Sequence, residues 1–414
     1  MDNVQCNSFY IAHCTFYIAM RTLVINSMFF NAAYRRCADE LGILPDIDLT
    51  VLTVDSWHMN SMRRIYDPFA TGSPYRTIIG KTWWKGKENR GFYISGLLKA
   101  FRLSRPEVIY LMEEPFSLFA LQTLILRAIL YPNTPVIFFT WNNLSLEKYD
   151  YRPSAWYRNV ARWVLERMEY GLTANSQAIE VLRSAGNRFP MKMIGYGVDL
   201  SLFRSKNNVE SVALRKKIRI DEDPFIVGYV GRMIYMKGLD LLAEAFIKLR
   251  SEMPERKIIL FLLGSGEYEA ELITLFSSKG IESDIRMLPS APQNEVPAYM
   301  RMLDVLVLPS RREGMWAEQF GRVIIEAMAS RTVVLGSSSG AIPEVIGDAG
   351  FVFEENNADD LLQKLRQIVL MNPEEKQMLL DRGEHRAQER YSWKRFAAQS
   401  ADALRFVYNA SKEK

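Results

Sequence analysis

Short apolar runs alternate with amphipathic runs along the chain from Met20 onward. The apolar runs are rich in β-branched and aromatic residues, as expected of strands buried on both faces of a sheet. The amphipathic runs between them have helical spacing. The predicted strands are RTLVINS (21–27), LTVLTV (49–54), EVIYLM (107–112), TPVIFFT (134–140), YGLTAN (170–175), MKMIGYG (191–197), FIVGYVG (225–231), IILFLLG (258–264), IRMLPS (285–290), DVLVLPS (304–310) and TVVLGS (332–337). This alternation predicts parallel sheets covered by helices on both faces.

The strands fall into two series, and 414 residues is too long for one ordinary core. We therefore expect an α/β protein of two doubly wound, Rossmann-like domains that face each other across a cleft. The last run, YSWKRFAAQSADALRFVYNA (391–410), has helical periodicity and either finishes the second domain or crosses back onto the first. The predicted division is an extension outside the fold (1–19), a first domain (20–203), a polar linker (204–224), a second domain (225–390) and a C-terminal helix (391–414).

Composition favours a soluble globular protein, with 48% apolar and 24% charged residues. The three cysteines, Cys6, Cys14 and Cys37, are odd in number and lack metal-ligand spacing, so a reduced, cytosolic setting is the simplest interpretation. The apolar residues 8–20 are followed too soon by Arg21 for a membrane span, and no basic segment precedes them as in a secretory signal. We interpret 1–19 as an extension, with Met20 as a second candidate start.

One stretch in the second half concentrates the candidate chemistry. Between the predicted strands DVLVLPS and TVVLGS, Glu318 and Glu326 stand eight residues apart, with Phe320 and Gly321 between them at the entrance to a helix. Two acids and a glycine at the carboxyl end of a parallel strand lie where open α/β sheets bind their ligands. This stretch predicts a ligand site at the sheet edge.

Four segments in this half resemble the retaining glycosyltransferases of family four, which have the GT-B fold. They are GYVGRMIYMKGLDLLAEAF (228–246), LLGSGE (262–267), EQFGRVIIEAM (318–328) and IPEVIGDAGFVF (342–353), in the order and approximate spacing of that family. The resemblance implies two facing Rossmann-like domains, a nucleoside-diphosphate sugar as donor, and donor binding by the second domain.

The donor side can be argued from charge. Departure of a sugar leaves negative charge on a diphosphate, which must meet cations. Arg232 and Lys237, just after the strand FIVGYVG, are the best candidates, and the amides of the helix that follows Gly321 add positive potential. The resemblance implies that Glu326, about two turns into this helix, binds the ribose hydroxyls and that Glu318 holds the transferred sugar. Further donor-binding candidates are Gly231, Phe320, Gly321, Arg322 and Val323.

We predict that neither a metal nor a resident cofactor takes part. Asp46 and Asp48 form an Asp-x-Asp pair of the kind that holds metal in another glycosyltransferase fold, but they precede the strand LTVLTV of the first domain, where a solvated turn is the better interpretation. Two cations and a helix terminus already serve the leaving group.

The first domain matches the family less closely. Many relatives have a glycine-rich loop after the first strand and a histidine after the fourth, whereas this chain has NSMFFNAAYRR and TWNNLS. Trp141, Asn142 and Asn143 stand near the place of that histidine, and an amide can orient a sugar hydroxyl. Glu113 and Glu114, after the strand EVIYLM, are the strongest acids predicted at the acceptor side; a solvated turn is the alternative.

Basic and aromatic residues interleave in residues 81–107. Together with the net charge of +4, whose excess lies in the first half, they suit anionic lipid headgroups beside which a lipid-linked acceptor would wait. The alternative is a helix with a solvated basic face and aromatic residues in the core. Nucleic acid is a poorer partner because the charges form no long stripe.

The sequence therefore predicts a cytoplasmic glycosyltransferase, at the inner face of the membrane if 81–107 binds lipid, that transfers a sugar to a saccharide or lipid-linked acceptor in surface-polysaccharide or glycan biosynthesis. Two alternatives stay open: a nucleotide-sugar epimerase of the same fold, and a degenerate sugar-binding protein, which the missing histidine suggests.

Overall fold

The computed structural model describes residues 19–31, 34–59, 62–65, 73–85, 90–144, 154–203, 209–220, 224–314 and 316–413. Nearly all of the predicted extension, 1–19, lies outside these ranges. The described residues form two parallel α/β sheets, each flanked by helices, which confirms the predicted fold class.

The first sheet has seven parallel strands in the order β11-β10-β9-β8-β1-β2-β5. Two short antiparallel pairs, β3 with β4 and β6 with β7, extend from it. The elements of this part are β1 Met20–Ile25, α1 Arg36–Gly42, β2 Ile47–Val54, β3 Ser56–Met59, β4 Met62–Ile65, β5 Arg76–Gly80, β6 Thr82–Trp83, β7 Phe92–Tyr93, α2 Leu97–Ser104, β8 Val108–Leu111, α3 Leu118–Leu130, β9 Val136–Thr140, α4 Ser154–Leu165, β10 Tyr170–Thr173, α5 Ser176–Ser184, β11 Met191–Met193 and α6 Leu200–Phe203.

The second sheet has six parallel strands in the order β14-β13-β12-β15-β16-β17. Single-turn 3-10 helices lie at Tyr235–Lys237 and Glu282–Asp284, and another lies at Ser27–Phe30 in the first domain. The remaining elements are α7 Val209–Lys217, β12 Phe225–Val230, α8 Leu239–Glu252, β13 Ile258–Leu263, α9 Glu269–Lys279, β14 Ile285–Leu288, α10 Val296–Arg301, β15 Val305–Leu308, α11 Arg322–Ala329, β16 Val333–Ser337, α12 Ile342–Ile346, β17 Phe351–Phe353, α13 Ala358–Val369, α14 Pro373–Tyr391 and α15 Trp393–Lys412.

The structure differs from the predicted elements mainly at sheet edges. The edge strand β5 was missed because it is half-exposed and lacks a continuous apolar run, and β17 was missed because its apolar run has only three residues. At the opposite edge of the first sheet, MKMIGYG forms a strand only over Met191–Met193. The segment after α6, predicted as a linker, contains α7, which packs on α10 through the hydrogen bond from Ser211 Oγ to the Ala298 carbonyl (3.1 Å).

Only the first residue of the Asp-x-Asp pair, Asp46, lies in the predicted turn. Strand β2 begins at Ile47, so Asp48 lies within it. Asp46 accepts hydrogen bonds from Arg405 Nε (2.7 Å) and Nη2 (3.0 Å) on α15. This contact with Arg405 lowers the pKa of Asp46 and helps to attach the last helix to the first domain.

Helix α15 does cross back onto the first domain. It packs against α1, β8, β9 and β10, and its Ser400 hydroxyl lies 3.2 Å from the buried Tyr110 hydroxyl of β8. Helix α14, which precedes it, packs instead on α11 of the second domain. The backbone therefore passes between the domains near Phe203 and again near Ser392, where the Val198 amide donates to the Tyr391 carbonyl at 2.7 Å.

An aromatic cluster fills the region where the backbone passes between the domains, which we call the hinge. Phe396 of α15 is buried against Phe139 of β9 (5.2 Å between ring centroids) and against Tyr196 (6.2 Å). Tyr196 also contacts Trp393 at 4.9 Å. One hydrophobic core consequently continues from the first sheet through the hinge into the second domain, while a separate core covers the other face of the first sheet.

Phe396→Ala should lower the stability of the protein by about 3–5 kcal/mol, because it leaves a cavity in the buried hinge cluster. Phe406→Ala, on the same helix at a side chain that is 55% exposed, should cost less than about 1 kcal/mol. Chemical denaturation of the two variants beside the parent chain measures both. Equal losses would mean that α15 is not held through this cluster.

Candidate active site

The candidate site lies at the carboxyl ends of the central strands of the second sheet. After β12 the chain turns through a 3-10 helix that ends at Lys237, and Gly238 follows at φ +66°. A Cβ at Gly238 would lie 2.0 Å from the Pro309 carbonyl oxygen, so only glycine lets this turn lie against the end of β15. The turn brings Lys237 to the loop that carries Glu318.

Lys237 and Glu318 form a largely buried ion pair. The Nζ of Lys237 donates to Oε2 of Glu318 at 2.5 Å, and the Ser310 hydroxyl donates to the same oxygen at 2.8 Å. The ammonium also lies 5.1 Å from the ring centroid of Trp316, within cation–π distance. Two residues predicted at opposite ends of a sugar phosphate are therefore in direct contact.

The loop after β16 closes over Glu318 from the other side. Gly340 has φ +54°, and a Cβ there would lie 2.1 Å from the Glu318 carbonyl oxygen. The Ala341 amide donates to that same oxygen at 2.9 Å. The serine- and glycine-rich sequence that precedes α12 thus fixes the backbone of Glu318.

Helix α11 begins at Arg322, so Glu326 lies just over one turn into it rather than the predicted two turns. Gly321 has no side chain to cap the first amides of the helix, which keep their positive potential at the site. Oε1 of the buried Glu326 lies 3.0 Å from Arg322 Nε. Burial raises the pKa of Glu326, and the neighbouring guanidinium offsets part of that effect.

Arg322 also connects the two domains. Its guanidinium carbon lies 5.3 Å from the ring centroid of Tyr34, in the segment before α1. Burial is the largest single effect and disfavours its charged form, but Glu326, Tyr34 and Tyr196 together outweigh burial and hold the pKa of Arg322 above its ordinary value. A residue predicted only to bind the donor therefore holds the ribose candidate Glu326 and reaches the first domain.

Arg232 is exposed in the turn that follows β12, directly after Gly231. The Tyr229 hydroxyl donates to the Arg232 carbonyl at 2.6 Å. Burial and the charge of Glu318 raise the pKa of Tyr229, while the charge of Arg232 lowers it. The second cation predicted for a diphosphate thus shares an electrostatic environment with Glu318.

Phe320 and Val323 differ in their positions. Phe320 is buried, with its ring 6.1 Å from Tyr196 of the hinge and 5.7 Å from Tyr391. Val323 is half-buried and packs against the core. Phe320 anchors the loop between the two predicted acids to the hinge.

The acceptor-side acids lie across the cleft, at the carboxyl end of β8. Glu113 is buried and accepts a hydrogen bond from the Ser27 amide after β1. Glu114 Oε2 accepts from the Thr140 hydroxyl at the end of β9, at 2.6 Å. Each carboxylate therefore joins two neighbouring strand ends, which a solvated turn would not do.

The three residues after β9 contact different partners. Trp141 packs on Tyr196 at 5.8 Å between centroids. Asn142 is buried, and its amide bonds the Leu144 backbone through both Nδ2 (3.0 Å) and Oδ1 (3.3 Å), closing a turn. Asn143 Nδ2 donates to the Gln177 side chain (3.0 Å) and to the Glu318 carbonyl (3.3 Å), so this residue bridges the domains.

A set of interdomain hydrogen bonds surrounds that bridge, and sequence reasoning missed it. The buried Asn175 donates through Nδ2 to the Gln319 carbonyl (2.6 Å) and the Trp141 carbonyl (3.0 Å). Glu344 Oε2 accepts from the Ser176 amide (3.0 Å) and hydroxyl (2.7 Å), at the start of α5. Gln177 Nε2 donates to the Gly340 carbonyl at 3.1 Å. We call the residues 175–177 the cleft clamp.

One sequence signal for the clamp was available. Asn175 follows a buried strand and begins α5 as its N-cap, accepting from the Ala178 amide at 2.8 Å. An Asn-Ser pair at such a boundary predicts a helix start. Nothing in the local sequence shows that the side-chain NH2 group of Asn175 faces another domain.

Comparison with known proteins gives matches to glycosyltransferases. Residues 211–386 match the family model described as Glycosyl transferases group 1. The chain is 29% identical over 182 residues to D-inositol 3-phosphate glycosyltransferase 1 of Catenulispora acidiphila, covering 42% of each chain. It is 29% identical over 214 residues to the lipopolysaccharide core mannosyltransferase LpcC of Rhizobium leguminosarum, covering 49% of this chain and 55% of LpcC. The match thus spans about half the length of these relatives.

Solved structures match over nearly the whole chain. HepE of Anabaena, crystallised with UDP, aligns with a TM-score of 0.70 at 17% identity and covers 92% of this chain and 98% of HepE. A glycosyltransferase of Rickettsia africae aligns with a TM-score of 0.71 at 13% identity and covers 96% and 100%. The chain has the GT-B fold. In this GT-B chain, Glu318 of the second domain contacts Asn143 of the first, and Glu113 and Glu114 lie at the carboxyl end of β8 in the first domain.

Asn175→Asp should open the GT-B cleft while preserving the cap of α5. The carboxylate still accepts from the Ala178 amide, but it cannot donate to the Gln319 and Trp141 carbonyls, and each buried group left unpaired costs about 1–3 kcal/mol. We expect a larger radius of gyration by small-angle X-ray scattering and a lower melting temperature.

Asn372→Asp is the matched control, because Asn372 caps α14 by accepting from the Glu375 amide at 2.8 Å. This variant should leave both measurements close to those of the parent chain. An unchanged radius of gyration for Asn175→Asp would show that the clamp does not hold the cleft closed.

Proposed function

We propose that this chain is a retaining, metal-independent glycosyltransferase that moves a sugar from a nucleoside-diphosphate sugar to a saccharide or lipid-linked acceptor in surface-polysaccharide or glycan biosynthesis. The observation that carries the proposal is the ion pair of Lys237 and Glu318 at the sheet edge that also bears the uncapped start of α11. The named activities of the relatives and the UDP in the HepE crystal are consistent with it.

The two cations serve the leaving group. As the bond from the anomeric carbon to the phosphate oxygen breaks, negative charge grows on the diphosphate, and preorganised positive groups stabilise it. Lys237 offers a mobile point charge, Arg232 offers a planar fork for two oxygens, and the first amides of α11 point their dipoles at the same place. Together, these positive groups support transfer without a metal.

Donor binding exchanges the partners of the ion pair. The diphosphate replaces Glu318 as a counter-ion of Lys237, and a hydroxyl of the transferred sugar donates to the freed carboxylate. The existing contact keeps both side chains in place before the donor arrives, which reduces the ordering cost of binding.

Glu326 is proposed to accept from the vicinal ribose hydroxyls. Its contact with Arg322 at 3.0 Å occupies one of its two oxygens. A carboxylate has about four acceptor positions, so a diol can bind beside the guanidinium. Arg322 then favours the charged form of the acid in a buried position, where burial alone disfavours it.

Retention of anomeric configuration is proposed to follow from attack on the face that the leaving group vacates. In this scheme the acceptor oxygen bonds to the anomeric carbon as the phosphate departs. The leaving phosphate oxygen takes the proton of the acceptor hydroxyl. A site rich in phosphate-binding groups suits this scheme, with Glu113 and Glu114 orienting the acceptor from the first domain.

A donor panel tests this function. We expect one of UDP-, GDP- or ADP-sugars to raise the melting temperature and to be hydrolysed slowly without acceptor, in the presence of EDTA. Lys237→Met should reduce turnover by about 100-fold or more, the scale of losing one charge-stabilising group. Glu326→Ala should weaken donor binding at least about tenfold, as expected for lost hydrogen bonds to a charged group.

Lys248→Met is the matched control, because Lys248 of α8 pairs with Asp359 at 2.8 Å on the surface. It should keep parental turnover. Binding of no nucleotide sugar contradicts the transferase function, and loss of activity in EDTA contradicts metal independence. Release of an epimerised sugar without acceptor would identify the epimerase instead.

We propose that the basic surface of 81–107 rests on an anionic membrane from the cytoplasmic side. Trp83 and Trp84 are 56% and 54% exposed, and Lys99, Arg102 and Arg105 are exposed on and after α2. Tyr93 and Phe101 are instead buried in the core, and Lys85 pairs with Asp55 at 2.8 Å, so only part of the basic aromatic segment faces outward. Among the described helices, none is long and apolar enough to cross a membrane.

Replacing Lys99, Arg102 and Arg105 together by Gln should weaken binding to vesicles of phosphatidylcholine with 30% phosphatidylglycerol by about 100-fold, at ~1 kcal/mol for each charge. Trp83→Ser with Trp84→Ser should weaken it further. Leu370→Ser, at a side chain 62% exposed in the second domain, is the control. Cosedimentation with the vesicles measures the binding of each variant. Equal binding by every variant would contradict a membrane surface at 81–107.

A further inference from the structure

A small cavity lies at the point of the first sheet where the strand order reverses. From β1 the chain builds β2 and β5 on one side, and from the adjacent β8 it builds β9, β10 and β11 on the other. In open α/β sheets, ligands bind in the crevice outside the carboxyl ends of such a pair of strands. The cavity, of about 70 Å³, is situated in that crevice and includes Ser27 and Glu113 in its walls.

Most of the wall is apolar. Aromatic rings and a thioether form it, namely Phe29, Phe139, Trp141, Tyr196, Trp393 and Met112. The carboxylates of Glu113 and Glu114 lie on one side of the cavity, where they also join the strand ends described above. A ligand here meets carboxylate oxygens on one side and ring faces on the others.

The volume limits what can enter. A cavity of roughly 150 Å³ accommodates benzene, and a water molecule takes about 30 Å³ of liquid. The 70 Å³ cavity is therefore too small for a sugar ring and large enough for one substituent of a ring. The rings on its apolar side offer a water molecule few of the two to four partners that a buried water requires. An apolar substituent fits both the size and the chemistry.

The cavity adjoins the donor side of the cleft. Tyr34 and Tyr196 line it, and these two rings contact Arg322 (5.3 Å) and Phe320 (6.1 Å) at the start of α11. A molecule with one substituent in the cavity therefore has its remaining atoms between Glu113, Glu114 and the loop of Glu318. That is the position of an acceptor relative to a donor sugar.

We propose that this cavity binds the methyl group of a methyl-bearing acceptor pyranose, either the C6 methyl of a 6-deoxyhexose or the acetyl methyl of an N-acetylhexosamine. The inference rests on the proposed transferase function and adds the acceptor class to it. The methyl group enters among the aromatic rings, and the ring hydroxyls donate to Glu113 and Glu114. A sugar with a hydroxymethyl group in place of the methyl would bury its hydroxyl against the aromatic rings, which offer it no strong partner.

Paired sugars test the assignment without turnover. Dissociation constants are measured by NMR titration in the presence of UDP, GDP or ADP, whichever corresponds to the donor found above, for L-fucose against L-galactose and for N-acetyl-D-glucosamine against N-glycolyl-D-glucosamine, which each differ by CH3 against CH2OH. We expect the methyl-bearing sugar of one pair to bind at least about tenfold more tightly than its partner. The pair that shows this preference identifies the acceptor as a 6-deoxyhexose or an N-acetylhexosamine. Saturation-transfer spectra should show the strongest transfer to its methyl protons.

Met28→Trp should abolish this preference, since the half-buried Met28 lines the cavity and a larger ring fills it. Met378→Trp, on an exposed methionine of α14, should retain it. Equal binding within both pairs, or binding of no sugar, overturns the methyl pocket in the parent protein, whether or not Met28→Trp folds. If no nucleotide sugar binds, the transferase function itself is wrong, so the two failures are distinct.

Discussion

The cleft depends on the ion pair of Lys237 and Glu318. It joins the turn after β12 to the loop after β15, and the backbone of the same loop receives hydrogen bonds from Asn143 and Asn175 of the first domain. A buried pair of charges is costly to desolvate, and breaking it leaves one charge without a partner. The cost of breaking the pair favours one arrangement of the loop that carries Glu318. The loop at Gly340 packs against the Glu318 carbonyl in that arrangement.

The proposed exchange of partners at this pair does not require the contact between the domains to change. A diphosphate would take Lys237 and the Glu318 carboxylate would change its partner, whereas the Glu318 carbonyl would keep its hydrogen bond from Asn143. The side chain of Glu318 can therefore change its partner while the backbone of Glu318 keeps the same contact. This arrangement allows the donor to be bound and released while the clamp residues hold the cleft, or the cleft to open while the ion pair persists.

The fold could be predicted from the sequence because the fold depends on repeated local patterns of apolar and polar residues. Buried parallel strands are continuous apolar runs, and their carboxyl ends share one edge, so Arg232, Lys237 and Glu318 could be placed together from sequence alone. The edge strand β5 escaped this reasoning because about half of its residues face solvent, and β17 escaped it because it has only three residues. The mixed sequence of an edge strand resembles that of a loop.

The contacts between domains could not be predicted in the same way. Asn175 and Gln319 are separated by 144 positions, and their contact depends on the relative orientation of two domains that no local pattern encodes. The same holds for Arg322, which reaches Tyr34, and for Tyr196 and Trp393, which meet at the hinge. Motifs identify a donor chemistry within one domain, whereas the cavity at the first sheet is assembled from strand ends, a hinge and the last helix.

The return of α15 to the first domain has a consequence for biosynthesis. A ribosome releases the chain from its amino end, and domains generally fold as they emerge. Here the first sheet lacks the helix that covers β8, β9 and β10 until residues 393–412 have been made. All the strands of the second domain precede that helix in the chain. The domain that is synthesised first is thus completed last, and its exposed strand faces need protection for the whole time that the second domain takes to emerge.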